Sequence, residues 1–538
     1  MTRSKRFVSG AVMGYTYQIL VVVVGLWLAP FLLSRIGQHD YGIWLIGLQA
    51  LAYLALADIG VVALLPREIA YATGRAGGPA DSVELPLIIG RTARLILYQT
   101  PFVAIIAAAI WLLLPLGSSQ SRGFIGLILV AYTLLFPLRI FRAAVEGLQD
   151  LQFMGRTHIV AWTAGTATAV GLILTGFGLY SLAIGWITTQ MLAAALLAFR
   201  LWTKFPNVIP SKRSDFSTAG TGAYLRRGLW ASLTQIAMPL MNGADVLIIG
   251  KMLGPSTVVP YSCTGKLVGV LANQPQMLLE LAVPGLSEIK AGNSRQQIFR
   301  VTSALTQASL MLSGGLAFVV VAVNQGFVSW WVGAEQYGGN SLSLLIALTM
   351  LLRHWNSTAV YSMFCYGMER RLSITCLIDG LVTFAASAGL IAWLGPIGGP
   401  LGSMFGVCVV SLPANFFSIA DEAGVSLAGL LRPLWPWTWR FVLLVASAYG
   451  IVRDRAPQGF LQTALVGSIA ALVYLIVMIR VARTSVLWQY LRPRLIPSYE
   501  FCRTAFGRGA KNTGKHSGGA PGPERPAELV APATDANG

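Results

Sequence analysis

The strongest constraint on this chain is a succession of apolar runs, each about as long as a lipid bilayer is thick. A helix needs about 20 mostly apolar residues to cross the hydrocarbon core. Such runs fall near 8–34, 42–66, 93–116, 123–145, 157–177, 179–199, 228–251, 257–284, 301–324, 342–366, 374–394, 400–420, 437–452 and 461–482, fourteen in all. Only the Gly176–Ser181 turn divides the pair 157–199, and the run at 437–452 is short. Composition agrees: 55% of the residues are hydrophobic and 11% charged, with a mean hydropathy of +0.65, against about 25% charged in soluble domains. The expectation is an all-α integral membrane protein. The first run, Phe7–Leu33, is too long for the apolar part of a signal peptide and lacks its small-residue exit, so it reads as a helix that stays.

A net charge of +18 could suggest a nucleic-acid partner, but the placement of the charges argues against one. With a cytoplasmic N-terminus, Arg35, Arg122, Lys251, Arg453 and Arg455 lie on the outside, and Lys266 and Arg353 lie within spans. That leaves 32 of the 39 Lys and Arg on the cytoplasmic side, with both termini, as the positive-inside rule requires. Loops on the outside are too short for a catalytic domain; the longest surrounds 326–341. The five cysteines form no CxxC pair and the four histidines are scattered, so neither a disulfide framework nor a metal site is expected. Gly509–Lys515 nearly spells a phosphate-binding loop, but His516 replaces the Ser or Thr and no strand precedes it. No cofactor is expected, and the segment from about 507 to 538 reads as disordered.

Polar residues inside spans carry the functional information, because each is costly unless it faces protein or water. Ser262, Lys266, Gly269, Asn273, Gln276 and Glu280 recur at steps of three and four, which puts them on one helical face opposite Leu267, Leu271 and Leu278. Such a stripe either lines a wet cavity or joins helices. Similar faces carry Thr349, Arg353 and Ser357 with His354 beside them, Gln235 and Asn242 near Asp245, Gln18, and Gln49 with Tyr53. Several half-wet helices together imply a central aqueous chamber, and Pro101, Pro137, Pro239 and Pro275 interrupt helices where transporters tolerate it.

Asp58 is a lone carboxylate in an otherwise lipid-grade run. By helical angle it points away from the Gln49–Tyr53 stripe, which favours a structural acid paired with Arg139 or Arg142. A kink near Gly60 would instead favour a protonatable switch that couples an ion to a change of shape.

The stretch "APFLLSRIGQHDYGIWLIGLQALAYLALADIGVVALLPREIA" (29–70) resembles the opening of polysaccharide-repeat-unit flippases of the multidrug/oligosaccharidyl-lipid/polysaccharide exporter superfamily. "GADVLIIGKMLGPSTVVPY" (243–261) is similar to the opening of their second half, and "AAVEGLQDLQFMGR" (143–156) to the link between spans 4 and 5. The resemblance covers about 7–480 and implies two pseudo-symmetric six-helix lobes, 1–202 and 228–421, around a central cavity. A linker at 203–227 would join them, two further spans would occupy 422–483, and a cytoplasmic tail 484–538. It also implies transport of polyprenyl-pyrophosphate-linked oligosaccharides across the bacterial cytoplasmic membrane by alternating access. Membrane lipid, a polysaccharide polymerase and chain-length proteins are then the candidate partners. Pyrophosphate needs cations in a site of low dielectric; Lys266 and Arg353 are the deep bases, with Asn273, Gln276, Ser357 and Tyr53 for sugar hydroxyls.

A cation-coupled drug exporter on the same fold would want an acid-dominated chamber, and a lipid II flippase a denser set of arginines in the first lobe. A membrane enzyme would want convergent acids or histidines. Coupling stays open between a proton or sodium gradient acting through Asp58 or Asp245 and the membrane potential acting on the anionic head group.

Overall fold

A computed structural model describes residues 3–58, 60–76, 78, 82–114, 118–211, 237–241, 243–291 and 295–488. Among them there are helices and no strands. Every expected span overlaps a helix, although the beginning of the seventh, 228–236, lies outside the described residues, as do most of the 203–227 linker and the tail from 489. Among the described residues, eight helical stretches are long and apolar enough to cross a membrane by themselves. Two of these cover two expected spans each: Met13–Asp58, with 46 residues, overlaps 8–34 and 42–66, and Glu369–Ala423, with 55, contains 374–394 and 400–420. The chain is a multi-pass membrane protein.

The first half runs α1 (Arg3–Leu54), α2 (Val61–Ala76), α3 (Glu84–Leu113), α4 (Ser119–Leu135), α5 (Arg139–Gly147), α6 (Leu151–Leu174) and α7 (Tyr180–Lys204). After it come α8 (Ala244–Met252), α9 (Pro255–Leu271), α10 (Asn273–Ala291), α11 (Arg295–Trp331), α12 (Asn340–Cys365) and α13 (Glu369–Leu394). The last helices are α14 (Gly398–Gly406), α15 (Leu412–Ala423), α16 (Leu427–Leu431), α17 (Trp435–Asp454) and α18 (Gly459–Thr484).

Breaks in these helices matter more than their lengths. In α1, Gly37 turns the chain at φ 81°, ψ 166°, and Gly254 does so before α9 at φ 91°, ψ 160°. Side chains disfavour that left-handed region. The two glycines stand in the segments "RIGQHDY" (35–41) and "KMLGPSTVVPY" (251–261), which thus share a positive-φ turn. The second span does not run through: α1 ends in a 3-10 turn, Ala55–Asp58, and α2 begins afresh at Val61. Pro137 sits in another 3-10 turn between α4 and α5. The eighth span is also two helices, α9 and α10, parted at Ala272 just before Pro275, whose ring removes a backbone donor.

Buried apolar residues sort into two large clusters, one drawn from Leu32 to Val208 and the other from Val268 to Val481. Two small clusters join them through α1: Ile46 packs with Ala244, Ile248 and Val258, and Ala29 with Val259, Cys263 and Val328. Where the two glycine turns meet, Gln38 donates to the Ser256 carbonyl at 2.8 Å. There Gly42 lies so close to α9 that a Cβ would stand 2.1 Å from the Pro255 carbonyl oxygen. Close backbone approach of this kind, which only small residues permit, is how helices associate tightly in lipid.

Candidate functional site

Because span 2 breaks at Asp58 and span 4 turns at Pro137, the first-half helices splay around a cavity of about 830 Å³. Among the described residues its lining runs from Tyr17 to Leu197, all in the first half. The size suits a small polar head group.

Asp58 forms part of the lining and is buried. Its Oδ1 accepts from the Val62 amide at 3.0 Å, which caps the start of α2, and Gln99 donates to its backbone carbonyl at 2.9 Å. A carboxylate is favourable there because a helix N-terminus carries partial positive charge. Asp58 thus starts a new helix and shares its cavity with both Arg139 and Arg142. Arg139 donates to the Tyr132 hydroxyl at 3.2 Å and lies over the Phe136 ring. Tyr132 in turn stacks on Trp186 of α7, centroids 6.5 Å apart and planes inclined by 14°.

Other polar residues of the lining are unengaged. Among the described residues, the side chains of Arg142, Glu146, His158 and Gln190 make no hydrogen bond or ion pair, and all four face the cavity. Arg142 and Glu146 are exposed to it; His158 is half-buried against the Tyr17 ring, 5.7 Å between centroids. Arg139, Arg142 and Glu146 recur at steps of three and four, so their common face on α5 is legible in the sequence. His158, Trp186 and Gln190 stand singly on two other helices and give no such signal.

The second half treats its charge in the opposite way. Arg353, expected to meet a substrate, is bound within its own half. Nη1 reaches the buried Asp379 Oδ2 at 2.5 Å, Nη2 donates to Thr383 Oγ1 at 2.9 Å and the Ser403 carbonyl at 3.1 Å, and Nε to Ser403 Oγ at 3.2 Å. Asp379 also accepts from Thr383 and Ser411. Ser411 ends a π-helical turn, Val407–Ser411, which lies between α14 and α15. Arg353 therefore departs from the expectation of a free deep base: its donors are already matched by buried oxygens of two helices, α13 and α14. Neighbouring Asp245 accepts from the Tyr261 hydroxyl at 2.5 Å, and its Oδ1 is buried without a hydrogen-bond partner.

The other expected residues do not converge on one point. His354 is buried, its Nδ1 3.0 Å from Ser313 Oγ, and Ser357 donates to the Arg353 carbonyl of its own helix at 2.9 Å. Tyr53 donates to the Pro239 carbonyl at 3.1 Å, and the Gln49 amide lies against Gly243, so these two bridge the halves. Lys266 is half-buried on α9 and makes no hydrogen bond or ion pair among the described residues; Gln18 and Asn273 are exposed. Gln276 faces Tyr361 at 3.5 Å, and Tyr361 donates to Glu280 at 3.2 Å. Gln235 and Asn242 lie outside the described residues.

Residues 104–337 match a family described as polysaccharide biosynthesis protein. No curated protein sequence matches the chain. Among solved structures, the lipid II flippase MurJ in an inward closed conformation is 12% identical, covers 88% of this chain and 99% of its own, and superposes with a TM-score of 0.65. An inward-facing multidrug resistance MATE transporter of the MOP superfamily is 15% identical, with 73% and 96% covered and a TM-score of 0.53. An outward-facing one is 14% identical, with 78% and 97% covered and a TM-score of 0.51. The chain carries the polysaccharide-biosynthesis match on the all-helical membrane fold shared by MurJ and the MATE transporters of the MOP superfamily.

Proposed function

We propose that this protein carries polyprenyl-pyrophosphate-linked oligosaccharide repeat units across the bacterial cytoplasmic membrane. The units would serve surface polysaccharide such as O-antigen, capsule or exopolysaccharide, and the two lobes would expose the cavity to each side in turn. The observation that carries this reading is the unengaged Arg142 guanidinium in a cavity of about 830 Å³, with His158 and Gln190 beside it. A pyrophosphate is held best by charge-assisted hydrogen bonds from groups that have no other partner, in surroundings of low dielectric. Arg142 and His158 then take the pyrophosphate, while the Tyr132–Trp186 stack and Gln190 take the sugar. The polyprenyl tail stays in the bilayer.

In this reading Lys266, Asn273 and Gln276 offer contacts on the second lobe as the head group passes, and Arg353 fixes that lobe's interior. Coupling is either to a proton or sodium gradient acting through Asp58 or Asp245, or to the membrane potential acting on the anionic head group itself. In this reading both termini lie in the cytoplasm, and a polymerase and chain-length proteins would be reached on the opposite side of the membrane, after transfer.

The test is leaflet transfer in proteoliposomes with a fluorescent lipid-linked oligosaccharide. Arg142→Ala is expected to slow transfer at least about tenfold, the effect of losing one charge-assisted contact, and Arg142→Lys to restore part of it. Wild-type rates in both Arg142→Ala and Arg142→Glu would overturn the assignment. Transfer of a lipophilic cation in place of the glycolipid would favour a drug exporter.

A further inference from the structure

The cavity holds an unengaged carboxylate as well as an unengaged guanidinium. Glu146 follows Arg142 by four residues on α5, which puts it on the same face about 6 Å along the helix axis. Both side chains border the void, yet neither bonds the other. Asp58, the second acid in the lining, has an oxygen committed to the start of α2 and belongs to the Arg139–Tyr132 side. Glu146 is therefore the acid left facing whatever occupies the space beside Arg142.

We propose that Glu146 determines which sugar may stand next to the pyrophosphate. The inference rests on the reading that Arg142 holds that pyrophosphate. A sugar linked directly to a pyrophosphate at Arg142 lies within one helical turn of Glu146. A carboxylate accepts hydrogen bonds from hydroxyl, amide or ammonium groups. It repels another carboxylate, more strongly in a site walled by protein and lipid than in water. The substrate class thereby narrows to repeat units whose first sugar is neutral or carries an amino group; a uronic acid at that position is rejected. Acidic sugars further along the repeat unit are not restricted by this residue.

The experiment measures binding to the purified full-length protein in detergent, using three short-chain isoprenyl pyrophosphates that carry glucosamine, glucose or glucuronic acid. Wild type is expected to bind the glucosamine and glucose probes at least about tenfold more tightly than the glucuronic acid probe. Glu146→Gln should shrink that gap to within about threefold, and Glu146→Lys should reverse the order. Equal binding of all three probes by wild type, or an unchanged gap in both variants, would overturn the role of Glu146. Failure of wild type to bind any probe would instead overturn the reading of Arg142, and the two outcomes are distinct.

Discussion

The two halves share a kind of helical framework and handle their arginines in opposite ways. In the first, Arg142 faces a void with no hydrogen-bond or ion-pair partner among the described residues, beside His158 and Gln190, which have none either. In the second, Arg353 is enclosed by Asp379, Thr383 and Ser403, and Asp379 is itself fully buried. Both arginines lie in or beside apolar runs that read alike as sequence. What separates them is whether neighbouring helices bring an acid to within hydrogen-bond distance. An arginine whose donors are matched inside its own half fixes the packing there, whereas an unmatched one is free to meet a ligand. The contrast predicts where mutation damages the fold and where it damages binding.

Stability tests that contrast most severely. Removing one partner of a buried ion pair leaves the other charge uncompensated and costs about 3–5 kcal/mol. Asp379→Ala and Arg353→Ala should each lower unfolding stability by about that amount, read as a large fall in the thermal midpoint in detergent. The double variant Arg353→Met, Asp379→Leu should lie closer to wild type than either single one, because no charge is left buried alone. Arg142→Ala should change stability by no more than about 0.5 kcal/mol, as for a surface site without partners. If Arg142→Ala destabilised the protein as much as Arg353→Ala, the distinction between the halves would fail.

A smaller effect is expected where the halves touch. A Val at position 42 would drive its Cβ into the Pro255 carbonyl, and neither backbone can yield without moving its helix. Overpacking of this kind costs roughly 1–3 kcal/mol, here borne by the contact between halves rather than by either core. Cysteines placed at Gln38 and Ser256, whose side chain and carbonyl meet at 2.8 Å, should be joined in the parent protein by a short bifunctional thiol reagent that spans the length of the Gln38 side chain. Adding Gly42→Val should reduce that cross-link several-fold while leaving each half folded. Unchanged cross-linking would show that the close approach is not what holds this end together.

The sequence carries the helices far better than the site. Each apolar run has a helix because the bilayer forces backbone groups to bond within the segment, a requirement that acts residue by residue. The cavity has no such local origin. It exists because span 2 restarts after Asp58 and span 4 turns at Pro137, and a projection of straight helices contains neither event. By that projection Asp58 points away from the polar stripe; the break after it turns the acid into the cap of a new helix. Likewise Asp379, Thr383 and Ser387 recur at steps of four, a readable stripe. Their spacing says nothing of Arg353, which stands 26 residues away and meets Asp379 only through packing of α12 on α13. Polar periodicity thus tells which faces avoid lipid. Whether such a face meets water or a partner is decided in three dimensions.

The smallest expected effect lies at the edge of the first half, and it concerns charges that are matched yet still wet. Asp150, between α5 and α6, meets Lys204 Nζ at 2.8 Å and Arg200 Nε at 3.0 Å, both on the last turns of α7. Arg200 also lies 4.5 Å from the centre of the Phe153 ring, which steadies it. Partial burial works to raise the carboxyl's pKa, but the bonds from Lys204 and Arg200 outweigh it and hold the group below the ordinary 3.8. A carboxyl depressed in the folded state stabilises fully above its unfolded value and loses that contribution as pH falls through the folded one. The difference in thermal midpoint between wild type and Asp150→Asn should therefore be flat above pH 3.8 and shrink below it. Because both bases remain partly exposed, its size should be under about 1 kcal/mol and should fall with added salt. A difference as large as that of Asp379→Ala, or one insensitive to salt, would mean that the first half also buries a matched charge and that the contrast with the second half is one of degree.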